Sequence, residues 1–276
     1  MSQVPLINRI NELPRIQKIL QELLDMVNQQ DVDFNQLAEK ISMDQVLSAR
    51  LLRLANSAHF GASKQIGSIN EALIRVGTGP VRTLVIASVL SGVFSKVPTL
   101  NLNEYWCDTF EISVIASKLA EQTNLDGNDL FTIGVLHNIG ELMIHTLAPE
   151  EAVKIVEKVN QGANIFDAQE ETLDISAPAL GAKLANNWNF PAEIVDAIAH
   201  FHVPREAEVS PKLAVLLHFS HSIHKNWEQL ATETDKENYI KEHPDARLLS
   251  ITPDFIDTIS QCRGNGQDLA NQLLAS

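Results

Sequence analysis

The chain has 276 residues, 45% of them hydrophobic and 20% charged, a globular balance that excludes a disordered polymer and leaves room for a sizeable core. Its 35 acidic and 21 basic side chains give a formal charge of −14. That argues against non-specific binding to nucleic acid or to an anionic membrane, since both draw on clustered Lys and Arg.

The N-terminus, Met1-Ser2-Gln3-Val4-Pro5, has neither a basic nor an apolar signal region. Leu13, Ile16, Leu20, Leu23 and Val27 recur at helical spacing, and Phe34, Leu37, Ala38 and Ile41 predict a second helix. Leu47, Leu51, Leu54, Ala55 and Ala58 mark a third, whose opposite face carries Arg50, Arg53 and Ser57. Ser68-Ile69-Asn70-Glu71 reads as a capping box opening a helix through Leu73 and Val76 that stops at Gly77. Pro80–Phe94 is the longest apolar tract, too short for the roughly 20 residues of a bilayer span and predicted to be buried on most sides.

Beyond the break at Val97-Pro98, a helix is predicted over 104–122 with Asp108, Ile112 and Ile115 facing inward. Leu130–Ile144 is apolar nearly all round and reads as one central helix, with Gly134 and Gly140 allowing close helix approach. Val153, Val156 and Val159 mark another helix, and Leu180, Leu184 and Trp188 one more, ended by Phe190-Pro191. Pro191 restarts a helix through Ile194, Ile198 and Phe201, and a stripe follows through Leu213, Leu217, Ser220, Ile223 and Trp227. Residues 232–247 read as a solvated loop or exposed helix, and short helices are predicted near 254–262 and 267–274. No segment reads as a strand, so the fold class is all-α. Cys107 and Cys262 belong to no CxxC or zinc-like spacing and read as reduced thiols, which with the absent leader predicts a soluble cytoplasmic protein.

His137-Asn138, deep in the central apolar helix, demands polar partners, and Asp108 on the preceding helix is positioned to pair with His137. His218, His221 and His224 lie three residues apart and fan around their helix, with His218 toward water and His224 at the core's edge; they read as surface and rim histidines. Arg50, Arg53 and Ser57 read either as a solvated face or as a grip for carboxylate or phosphate.

Gly134-Val135-Leu136-His137-Asn138-Ile139-Gly140 resembles the His-Asp signature of HD-superfamily metal-dependent phosphohydrolases. Ser42-Met43-Asp44, Ala49-Arg50-Leu51-Leu52-Arg53-Leu54-Ala55-Asn56-Ser57-Ala58, Ile66-Gly67-Ser68-Ile69 and Ala72–Gly77 narrow the resemblance to the HDOD family, the HD-related output domain of bacterial signalling proteins. Leu180-Gly181, Trp188, Phe190-Pro191 and Ala197-Ile198 extend it, so that it covers about 6–205.

The resemblance implies a compact multi-helix domain in two lobes (1–98 and a degenerate HD-like 99–205) with a C-terminal helical extension over 206–276. The HD ligand set falls on Asp108, His137-Asn138, Ala177, Phe201-His202 and Ser220 or His221. An amide replaces the bridging carboxylate and an alanine replaces a histidine, so neither metal nor cofactor is expected. Implied instead is a non-catalytic regulatory module, relying on another chain for sensing and output. It would bind a signalling protein partner or a nucleotide messenger through the groove between lobes or through Arg50, Arg53, Asn56 and Ser57. The alternatives are a phosphohydrolase with a reduced ligand set, including a weak single-metal site of Asp108, His137 and His202, and a scaffold protein.

Overall fold

The computed structural model describes residues 6–13, 17–29, 31–56 and 65–274, which form helices, turns and loops with no strand. Met1–Pro5, Ile16, Ser57 and Ala58 lie outside the described residues. The fold is all-α, in two compact units: 14–95 with 268–276, and 1–13 with 96–267.

In the smaller unit, α1 (Lys18–Val27) buries Leu20, Leu23, Leu24 and Val27 on one face. Asp33 caps α2 (Phe34–Ser42), accepting the backbone N–H of Asn35 and Gln36, and Asp44 caps α3 (Gln45–Ala55) through Leu47. Ser68 opens α4 (Ile69–Val76) by accepting the Glu71 N–H at 3.2 Å, the Ser half of the expected box. Gly77, at φ +82°, then turns the chain into α5 (Thr78–Val93). A residue with a Cβ would be strained at that turn. α5 is buried on most sides, from Val81 to Val93.

In the larger unit, Asn101 caps α6 (Leu102–Leu119) and Asp126 caps α7 (Gly127–Leu136), and these two helices pack along each other. The predicted central helix is real but interrupted: a turn at His137-Asn138 separates α7 from α8 (Ile139–Leu147). By length and mean hydropathy the stretch Gly127–Leu147 could cross a membrane, yet 78% of its apolar window is buried inside the protein, as a core helix would be. Both glycines are required. A Cβ on Gly134 would lie 2.6 Å from Ser113 Cα, and one on Gly140 1.8 Å from the Ala177 carbonyl oxygen.

Next come α9 (Pro149–Asn160), α10 (Ile165–Leu173), α11 (Ala177–Asn187) and α12 (Ala192–His200). On α9 it is Ala152 and Ile155 that are buried, while Val153 and Val156 are exposed. α13 (Pro211–Asn226) buries Leu213, Leu217, Ser220 and Ile223 as the stripe predicts, with Trp227 beyond its end. The polar stretch 232–247 is helical: α14 (Glu233–Glu242) has a complete capping box of Thr232 and Asp235, and α15 (Pro244–Leu249) follows. The chain ends in α16 (Ile256–Cys262) and α17 (Asn265–Leu274). Glu111, 6% exposed on α6, accepts the backbone N–H of Gly264 and of Gly266 at 2.8 Å each.

Candidate functional site

The residues predicted to form a site are dispersed. Arg50 does not share a solvated face with Arg53: it is 9% exposed, and its Nη1 donates to Ser88 Oγ on α5 at 3.1 Å. Burial lowers its pKa from the ordinary arginine value. Only Arg53 is exposed. Asn56 closes a local brace, its amide donating to the carbonyls of Leu52 and Ile66 and accepting the Ile66 N–H, all at 2.8 Å. With Ser57 outside the described residues, this cluster presents one exposed cation rather than a paired arginine grip.

Asp108 is not inward and does not meet His137. Its side chain is 55% exposed, and Oδ1 lies 3.4 Å from His224 Nε2 on α13. His137 is 2% exposed and hydrogen-bonded through Nδ1 to the Gly134 carbonyl at 2.6 Å. Burial, reinforced by the neighbouring His221, pushes its pKa down to about 3, so it is neutral at physiological pH. Asn138 is half-buried at the start of α8 and makes no side-chain capping bond. Ala177 is buried, and its N–H donates to Gln169 Oε1 at 2.7 Å. Among the described residues no three His, Cys, Asp or Glu side chains converge to hold a metal ion. The donor set present does not fit the metal centre that the HD pattern implies.

What the larger unit does bring together is a cleft of about 610 Å³ between α10, the turn after α12, and α13. Asn164 caps α10 through the N–H of Phe166 (2.8 Å) and Asp167 (3.4 Å), which sets Phe166 at the cleft wall. Three rings meet there at steep mutual angles. Phe166 and Phe201 lie 5.9 Å apart at 85°, Phe166 and His202 4.5 Å apart at 45°, and Phe201 and His202 5.9 Å apart at 66°. Asp167, Glu170 and Glu206 also line the cleft, and His218, His221 and Lys225 approach from α13.

Two buried polar frameworks hold these walls. Behind α10, Thr99 Oγ1 meets His145 Nδ1 at 2.9 Å, and His145 Nε2 meets Glu141 Oε1 at 3.2 Å. Gln169 Nε2 then donates to Glu141 Oε2 at 2.7 Å, and Gln169 continues to the Ala177 N–H. Every polar atom in that run has a partner, as burial requires. Behind α12, Asp196 accepts the N–H of Val209 and Ser210 at 2.9 and 3.0 Å and pairs with His200, fixing the entry to α13. Burial works to raise the Asp196 pKa, but those backbone donors and His200 outweigh it and hold the carboxyl below its ordinary value.

The α13 histidines have separate partners. His218, expected in water, donates through Nδ1 to the buried Asp245 on α15 at 2.5 Å. His221 packs near Phe201 and His137, and burial first, then neighbouring cations, pushes its pKa down to about 4. His224 pairs with Asp108 and meets Arg263 Nη1 at 3.4 Å.

Ser222, His243 and Asp245 outline a nucleophile triad, with His243 Nε2 3.2 Å from Ser222 Oγ. The tautomer is wrong for one. The Asp245 backbone N–H donates to His243 Nδ1 at 3.3 Å, which puts the ring proton on Nε2, facing the serine. A general base needs a lone pair there.

A model of the HDOD domain matches residues 13–204. The chain belongs to the HDOD family. A Treponema pallidum protein without assigned function is 30% identical over 206 residues, 73% of this chain, and the match spans about 40% of that relative's length. A crystal structure from Shewanella amazonensis, ascribed conjecturally to a phosphohydrolase, is 34% identical with a TM-score of 0.85, over 97% of each chain. An HDOD protein of unknown function from Geobacter sulfurreducens shares the fold, at 22% identity and TM-score 0.78 over 98% of each chain.

Sequence reasoning missed Phe166, Asp196, Glu141, Gln169 and Asp245. A lone carboxylate inside Ile194-Val195-Asp196-Ala197-Ile198 was a readable signal for Asp196, since an acid among apolar helix positions must find donors. The other four reach across distant elements and carry no local mark.

Proposed function

We propose that this chain is a non-catalytic regulatory module of bacterial signal transduction, acting by binding rather than by turning over a substrate. One observation carries the reading: among the described residues, the side chains at the HD ligand positions do not converge to hold a metal ion. Asp108 pairs with His224 and His137 with the Gly134 carbonyl, an amide and an alanine stand at two further positions, and His202 and His221 complete no set of three ligands. A hydrolytic metal site needs charged or strongly donating ligands around a shared point to lower the pKa of bound water. Two free cysteines agree with a reducing, cytoplasmic setting.

The competing reading is a metal-dependent phosphohydrolase with a reduced ligand set, favoured by the activity conjectured for the Shewanella relative. Metal analysis of the purified chain after incubation with Mn, Fe, Zn and Mg decides between them, with Asn138→Asp alongside. The regulatory reading expects no stoichiometric metal in the wild type. About one metal per chain, lost in His137→Ala and accompanied by phosphoester turnover, overturns it.

A further inference from the structure

Asn265-Gly266 is the one Asn-Gly step in the chain, a dipeptide with a reaction of its own. Glycine has no side chain to crowd the approach, so its deprotonated backbone nitrogen can attack the asparagine side-chain carbon Cγ. The new C–N bond closes a succinimide ring as the Cγ–Nδ2 bond breaks. Ammonia leaves, taking up the proton that the glycine nitrogen gave to solvent. Water then opens the ring at either carbonyl, giving aspartate or isoaspartate. The net change is one water in and one ammonia out, with no electron transferred.

The reaction needs a free glycine nitrogen and room for the ring, and the folded chain withholds both. Asn265 is exposed to water, whereas Gly266 is buried. The Gly264 N–H donates to Glu111 Oε1 and the Gly266 N–H to Glu111 Oε2, each at 2.8 Å, so one buried side chain holds the amides on both sides of Asn265. The backbone there lies against α6: a Cβ on Gly266 would fall 2.4 Å from the Cys107 carbonyl oxygen and 2.6 Å from the Glu111 nitrogen. Asn265 is also the first residue of α17, and helical backbone dihedrals keep the following nitrogen away from the side-chain carbon.

We infer that Asn265-Gly266 is a latent deamidation site, silent while Glu111 holds the flanking amides and converted once they are released. Only the released fraction reacts, so the opening equilibrium of this segment sets the rate. The change is one-way. Isoaspartate routes the main chain through the former side chain and lengthens it by one methylene between Gly264 and Gly266, so their amides no longer match the two oxygens of Glu111. A reversible opening thus becomes a permanent one, whatever the protein binds elsewhere.

The test is incubation of the full chain under warm, mildly alkaline conditions, native and in guanidinium chloride. Mass spectrometry follows the amide-to-acid change at each asparagine, and chromatography resolves isoaspartate from aspartate. In denaturant Asn265 is expected to convert first among the asparagines, and in the native chain at least about tenfold more slowly. That comparison needs no variant and stands whatever a substitution does to folding. Glu111→Gln keeps the size of the side chain but turns one acceptor into a donor, and speeds native conversion by about fivefold or more. Gly264→Ala leaves Glu111 intact but forces a Cβ onto backbone at φ +88°, and speeds it by a separate route. In both variants the other asparagines keep their wild-type rates, which separates local release from global unfolding. Equal rates in native and denatured wild type, another asparagine converting first in denaturant, or folded variants that convert no faster than wild type overturn the inference.

Discussion

Asp108 Oδ1 and His224 Nε2 lie 3.4 Å apart, so the acid aligned with the first HD ligand is tied to a histidine on α13. Arg263 Nη1 lies 3.4 Å from Nδ1 of the same ring, and a proton on Nε2 satisfies both contacts. Because Asp108 is 55% exposed, the pair is screened by solvent. Asp108→Ala is expected to cost about 1 kcal/mol or less in urea denaturation, with no change in the His137 environment by NMR. A larger loss would mean that Asp108 reaches into the core after all.

Gly140→Ala is expected to be severely destabilising, by about 3 kcal/mol or more, because the new Cβ would sit 1.8 Å from the Ala177 carbonyl oxygen, a backbone atom that cannot step aside cheaply. Gly92→Ala, in the same chain and with nothing within 4 Å, is the control. It should be neutral or stabilising by up to about 1 kcal/mol. Thermal melts of the two variants check the contrast.

Arg50 and Arg53 should separate cleanly. Arg50→Ala removes a buried side chain and its bond to Ser88, and a loss of about 1–3 kcal/mol is expected. Arg53→Ala, on the exposed face, should stay within about 0.5 kcal/mol of wild type. Equal effects in denaturation would show that the two arginines act as one face.

The buried histidines set an acid limit. The folded pKa of His137, about 3, and of His221, about 4, lie below the ordinary 6.5, so the unfolded chain binds these protons first. Their contribution to stability is complete above about pH 6.5 and is lost as pH falls toward 4 and then 3. Each accounts for a slope of about 1.4 kcal/mol per pH unit inside its own window. Urea midpoints measured from pH 7 to pH 4.5 should fall, and His137→Phe should flatten the slope by about half. A pH-independent midpoint would show that His137 is solvated.

Asp196→Ala leaves the N–H groups of Val209 and Ser210 without their acceptor at the entry to α13, and should cost about 2–3 kcal/mol. With the folded pKa held below its ordinary value, the wild-type contribution is present above the unfolded carboxyl pKa and lost as pH drops through the folded one. Hydrogen exchange at Val209 and Ser210 reads the loss directly.

Helical periodicity made most of the chain legible, because an apolar face repeated every three or four residues matches the pitch of a helix and not that of a strand. The stripes at Leu20–Val27 and Leu213–Trp227 are buried as read. Periodicity failed where a helix turns a corner: nothing in Leu136-His137-Asn138-Ile139 marks the break between α7 and α8, since both sides are equally apolar. It failed again on α9, where three valines look like a core face while the smaller Ala152 joins Ile155 inside. For the site, composition named the histidines but not their partners. His218 with Asp245 and His224 with Asp108 are meetings between separate helices, which spacing along one helix does not encode.

Arg263-Gly264-Asn265-Gly266, the turn that begins α17, has the composition of a hinge, with Gly264 at φ +88°, and such a turn would ordinarily exchange its amide protons within moments. Here two of those amides close onto one buried carboxylate, and Gly266 comes so near α6 that any Cβ would fall 2.4 Å from the Cys107 carbonyl oxygen. Gly266 serves proximity and Gly264 the positive φ of the turn, neither of them motion. A segment that looks like the loosest joint in the chain is therefore a clasp, and the acid at Glu111 is its pin.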